Sequence, residues 1–92
     1  MVQHLTKSTR YCDIIADPCF KLGYADLWAG REWTAQRSWD DQEQEAYERG
    51  RHFAAWLIEQ GEEQIPLTKG YLANPRAETK LMLAFHEGAL RP

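Results

Sequence analysis

Residues Ser38-Trp39-Asp40-Asp41-Gln42-Glu43-Gln44-Glu45-Ala46-Tyr47-Glu48-Arg49-Gly50-Arg51-His52-Phe53-Ala54-Ala55-Trp56-Leu57-Ile58-Glu59-Gln60-Gly61 carry the clearest helical pattern in this chain of 92 residues. Ala46, Gly50, Phe53 and Leu57 recur at spacings of three and four and form one stripe, with Tyr47, Ala54 and Ile58 on the adjoining one. That is the period of an amphipathic helix. Ser38 followed by Asp41 reads as a capping box with Asp in place of the usual Glu. Asp40, Asp41 and Glu43 add negative charge to the first turn, where the helix dipole favours it. Gly61 closes the element, and Glu45, Arg49, His52 and Glu59 fall on the opposite face. The expected helix spans about residues 39–60.

Toward the N-terminus, Asp17-Pro18 is a start signal: Asp caps, and proline at the first helical position gives up an N–H that has no partner there anyway. A helix over about 18–29 follows, with Phe20, Tyr24, Leu27 and Trp28 on one face and Gly30 at its end. Ser8 or Thr9 would cap a short N-terminal helix through Tyr11, Cys12, Ile14 and Ile15, which the proline interrupts. Toward the C-terminus, Ile65, Leu67, Tyr71 and Leu72 between Pro66 and Gly70 suit an ordered loop lying on the core. Asn74-Pro75 repeats the cap-then-proline signal for a helix over about 75–87, with Ala77, Leu81, Ala84 and Phe85 inward and Gly88 at its end. Residues 1–7 and 89–92 are expected to fray. Strict apolar alternation and Asn-Gly hairpin signals are missing, so the expected fold is all-α: one domain over residues 1–92, three main helices and a short fourth.

Composition bounds the function. The 11 Lys+Arg against 14 Asp+Glu leave a net charge of −3, so the global footprint of a protein that coats a phosphate backbone is missing. No apolar run reaches the roughly 18 residues of a membrane span, and Met1 to Thr6 lack the apolar centre of a secretory signal, so a cytosolic protein with no membrane partner is expected. Four Trp, four Tyr and three Phe supply an aromatic core for a chain this small.

Gly23 and Gly50 stand inside helices, where glycine costs up to about 1 kcal/mol relative to alanine. Two backbones crossing closely, sealed by the flanking Tyr24 and Tyr47, would explain both; a ligand reaching bare backbone is the other reading. Across residues 20–56, the run Gly23-Tyr24, Gly30-Arg31, Tyr47, Gly50-Arg51, Ala54 and Trp56 resembles the two-helix pattern of ribosome modulation factor and small related phage- and plasmid-borne proteins. That resemblance implies two helices packed through small residues, with Arg31 and Arg51 directed toward ribosomal RNA.

Seven of the eleven basic residues are arginines, and Arg31, Arg37, Arg49 and Arg51 are interleaved with Trp33 and Trp39. A guanidinium beside an aromatic ring suits base stacking or a protein hot spot. Helical salt bridging is the plainer account, because Glu45 and Arg49 are four apart. Of the acidic cluster Asp40, Asp41, Glu43, Glu45 and Glu48, the first three stabilise the helix start, and the remainder, with Glu59, Glu62 and Glu63, would present a negative face to a basic groove, a reading that reversal of Asp40, Asp41 and Glu45 would test. Cys12 and Cys19, with six residues between them, lack the spacing and the second pair of a zinc site and read as free thiols, with a redox pair as the alternative. His4, His52 and His86 are isolated from one another, and no nucleophile–base or phosphate-cradle motif occurs. Neither metal, cofactor nor catalytic residues are expected.

The expected function is that of a non-enzymatic interaction protein, docking on a larger nucleic-acid-handling assembly through Trp33, Arg37, Trp39, Asp40, Asp41 and Glu45 and modulating or inhibiting it. Small mobile-element inhibitors of the anti-CRISPR or host-takeover type resemble it in size and charge. The alternative is a ribosome- or RNA-associated factor using Arg31, Arg49 and Arg51. Self-association through an uncovered aromatic face stays open.

Overall fold

A computed structural model describes residues 10–33, 38–70 and 72–90. In chain order the elements are α1 (Tyr11–Ala16), α2 (Pro18–Trp28), α3 (Asp41–Glu59), β1 (Thr68–Lys69), β2 (Leu72–Ala73) and α4 (Pro75–His86). The described part is mostly helical, and none of its helices is long and apolar enough to cross a membrane.

Asp17 serves two helices at once. Its backbone leaves helical geometry at the end of α1, as the following proline requires, and its carboxylate accepts from the N–H groups of Cys19 and Phe20 at 2.8 and 3.4 Å to cap α2. The short first helix is present, but its N-cap is Arg10 without a side-chain cap; Ser8 and Thr9 lie outside the described residues. At the start of α3 the capping frame differs from the expected Ser38/Asp41. The Glu43 N–H donates to Asp40 Oδ1 at 2.8 Å, and Glu43 Oε1 accepts from the Asp40 N–H at 3.0 Å. The reason is reach: a glutamate at the third helical position extends back to the cap residue, whereas the shorter aspartate does so less well.

The helices α2, α3 and α4 end on left-handed glycines. At the end of α2, Gly30 at φ +75° lets its N–H reach the Leu27 carbonyl and the Arg31 N–H reach the Asp26 carbonyl, at 3.0 and 2.8 Å. This reversal brings Arg31 back beside the helix it follows. Gly61 after α3 and Gly88 after α4 repeat the arrangement.

α2 and α3 form the most extensive helix pair. A Cβ on Gly23 would overlap the Tyr47 carbonyl, and one on Gly50 would overlap the Phe20 carbonyl and lie 2.8 Å from the Tyr24 nitrogen. The two backbones are therefore in direct contact, as the glycine spacing suggested. Around the crossing, the Phe53 ring lies 5.9 Å from Phe20, 5.7 Å from Tyr24 and 6.3 Å from Trp56.

Ile15, Leu57, Ile65, Leu67, Ala77, Leu81, Ala84 and Leu90 complete the core. The tail is thus buried at Leu90, where fraying was expected from residue 89; residues 1–7, 91 and 92 lie outside the described residues. The segment before α4 is held by Tyr24, whose hydroxyl donates to the Ile65 carbonyl at 2.6 Å and accepts from the Ile65 N–H at 2.9 Å. Beyond it, Thr68 pairs with Ala73 and Lys69 with Leu72 in an antiparallel ladder of two residues per strand. The expectation of an all-α chain is corrected to that extent, because a ladder this short shows no alternation in sequence. Asn74 caps α4 by accepting from the Arg76 N–H at 3.0 Å. On the far side, the Trp56 indole donates to Glu87 at 2.9 Å.

Candidate functional site

Three of the side chains expected to make contacts, Arg31, Trp39 and Arg51, gather at one end of the α2–α3 crossing, around a residue that the sequence reading passed over. Asp26 is on α2 and only 7% exposed. Tyr47, fully buried on α3, donates from its hydroxyl to Asp26 Oδ2 at 2.8 Å. Arg31, returned by the Gly30 reversal, donates from Nη1 to Asp26 Oδ1 at 3.2 Å. A buried carboxylate needs both a charge partner and hydrogen bonds, and Asp26 has both.

Arg51, one helical turn after Tyr47, donates to the Arg31 carbonyl at 3.0 Å and approaches the Tyr47 hydroxyl at 3.5 Å. Its guanidinium also stands 5.9 Å from the Tyr47 ring centre. The Trp39 ring packs 5.0 Å from the same tyrosine. Arg31, Arg51, Tyr47 and Trp39 thus share one anchorage. Arg31 keeps its side chain 69% exposed, and Trp33, two residues further on, is 51% exposed. This edge carries the exposed Arg31 guanidinium and Trp33 indole, with Arg51 half-buried beside them.

Other expected site residues are placed differently. Arg49, read on the face opposite the apolar stripes and as a candidate RNA contact, is 8% exposed and pairs with Glu45 at 4.0 Å. Burial lowers its pKa, while Glu45 and Asp17 oppose the shift. It has no free face for RNA. The cause is a rotation of the buried arc of α3 toward Arg49 and Trp56; Ile58, expected inward, is 47% exposed. Asp40 is occupied in the capping box, Glu45 faces Arg49, and Asp41 is exposed at the first helical position. Asp40 and Asp41 stay exposed and the Glu45 side chain is 31% exposed, so these charges remain at the surface, Asp40 with its cap bonds and Glu45 beside Arg49. Arg37 lies outside the described residues.

Two further charge groups lie away from this edge. Glu62 accepts from Arg76 at 2.7 Å and from Lys80 at 2.8 Å, joining the end of α3 to α4, and the Lys80 hydrogen bond chiefly holds its carboxyl below the ordinary value. The cleft of about 380 Å³ beside it has Ile65, Pro66 and Asn74 in its wall, with Glu62 and Arg76 already paired to each other. Cys12 and Cys19 are free thiols, and burial, then Asp17, Glu43 and Asp40, push the Cys19 thiol up, which disfavours the reactive thiolate. Among the described residues no group of three or more His, Cys, Asp or Glu could hold a metal ion.

Asp26 is the residue the sequence reading missed. Its signal was its place three residues after Gly23, on the face that the crossing buries. No protein-family model, curated protein or solved structure matches the chain.

Proposed function

We propose that this chain is a small interaction protein without catalytic activity, which docks on a larger nucleic-acid-handling assembly through the edge formed by Arg31, Trp33, Trp39 and Arg51 and modulates or inhibits it. The observation that carries this reading is the anchorage of Arg31 and Arg51 on the buried Asp26–Tyr47 pair beside an exposed tryptophan. Arginine and tryptophan are the residue types that dominate binding energy at protein interfaces, and a side chain already held in place loses less entropy on binding. A phage or mobile-element inhibitor of the anti-CRISPR or host-takeover type fits this size and charge by analogy of type.

The test is affinity capture from cytosolic lysate with the tagged chain and with its Arg31→Gln and Trp33→Ala variants, each with and without nuclease. A protein assembly retained through nuclease by the unaltered chain and lost by both variants supports docking. Equal capture by the variants overturns it. A second reading, a ribosome- or RNA-associated factor, is favoured by Arg31 and Arg51 standing together, and it predicts ribosomal material that nuclease releases.

A further inference from the structure

On the docking reading, the chemistry of the partner follows from the charge around the edge. We infer that Arg31 and Arg51, with Trp33 beside them, receive a short acidic segment of a partner protein: one carboxylate, or two in succession, flanked by an apolar side chain.

Three observations carry this. First, Asp26 satisfies only part of the guanidinium pair. Arg31 reaches it through Nη1, and Arg51 spends Nη1 on the Arg31 carbonyl and the Tyr47 hydroxyl. Among the described residues the other N–H groups of each planar fork have no partner, and a carboxylate matches such a fork with paired, charge-assisted hydrogen bonds. Second, among the described residues the cationic ground at this edge is small, being Arg31 and Arg51. Glu32 adjoins Arg31 in the chain, Asp40 and Asp41 follow Trp39, and the whole chain carries −3. A nucleic-acid strand held by its backbone engages on the order of six to ten phosphates, and acidic residues this close oppose a continuous polyanion, whereas a single carboxylate needs only two guanidinium groups. Third, the Trp33 ring offers an apolar surface within two residues of Arg31, and it is exposed rather than folded onto the core. An acidic residue next to an aliphatic or aromatic one would satisfy both features together.

The test pans a random heptapeptide display library against the immobilised full chain at physiological salt, then titrates the enriched peptides by tryptophan fluorescence. Expected is enrichment of peptides with Asp or Glu next to an apolar residue. Their affinity should fall at least about tenfold in Arg31→Gln and in Trp33→Ala, and by less than about twofold in Met82→Ala on α4. Trp33 is exposed, so Trp33→Ala should leave the thermal transition unchanged; Arg31→Gln removes the charge partner of Asp26 but keeps a donor there, so its transition should fall yet stay cooperative and above the titration temperature. Enrichment of neutral or basic peptides, or acidic peptides indifferent to Arg31→Gln, overturns the inference. So does a random single-stranded RNA pool that binds at this edge when acidic peptides do not. If a lysate assembly is lost with Trp33→Ala and yet no acidic peptide is enriched, docking stands and the carboxylate assignment falls.

Discussion

Tyr47 donates its hydroxyl hydrogen to the Asp26 carboxylate across the α2–α3 crossing at 2.8 Å, and both residues are buried. The bond joins the two helices and fixes the acceptor to which Arg31 returns. Tyr47→Phe keeps the ring and leaves one oxygen of a buried carboxylate without its donor, so it should lower stability by about 1–3 kcal/mol. Urea denaturation of Tyr47→Phe, Asp26→Asn and the double variant tests this, with the two losses expected to be non-additive. Additive losses would mean that the two groups act independently.

The Glu62 carboxylate is held below its ordinary value, first by the Lys80 hydrogen bond and then by Arg76. Because its folded value is depressed, its contribution to stability is present above about pH 4.5 and is lost as pH falls through the folded value. The stability difference between the unaltered chain and Glu62→Gln should therefore be constant near neutrality and shrink in acid. A difference that persists or grows at low pH would contradict the pairing. The comparison needs equilibrium unfolding at several pH values.

Cys19 should react slowly with iodoacetamide at neutral pH and faster as pH rises past 9.0, its ordinary value. The first cause is burial, and Asp17, Glu43 and Asp40 act in the same direction. Asp40→Asn should speed the reaction modestly by removing one negative charge. Mass spectrometry of the alkylated peptide reads the rate, and rapid modification of Cys19 at neutral pH would contradict the account.

How far these features could be read from sequence depends on what each one rests on. Asp17-Pro18 and Asn74-Pro75 announced their helices because a cap and a proline act within one turn. Gly23 and Gly50 announced the crossing because a helix interior carries glycine at a loss unless something needs the space. The Asp40 frame was hidden by the competing Ser38, three residues before another acid. Arg49 was misplaced because the buried arc of α3 covers about half its circumference at about 100° per residue, and periodicity gives the width of such an arc better than its edges. Asp26 was not legible as a centre, since its partners Arg31 and Tyr47 come from a reversal and from another helix, and only tertiary packing brings them together. For the same reason the short Thr68–Ala73 ladder and the burial of Leu90 left no local mark.

The edge depends on the close crossing of α2 and α3, and Gly50→Ala puts that crossing to the test. Helix propensity alone favours alanine there by about 1 kcal/mol. The structure opposes it, because the new methyl would meet backbone atoms of Phe20 and Tyr24 rather than a side chain able to move aside. Urea denaturation of Gly50→Ala should show a loss of at least about 2 kcal/mol, as the two helices are forced apart. A gain in stability near the propensity value would mean that α2 and α3 do not touch at Gly50, and the placement of Arg31 and Arg51 side by side would fall with it.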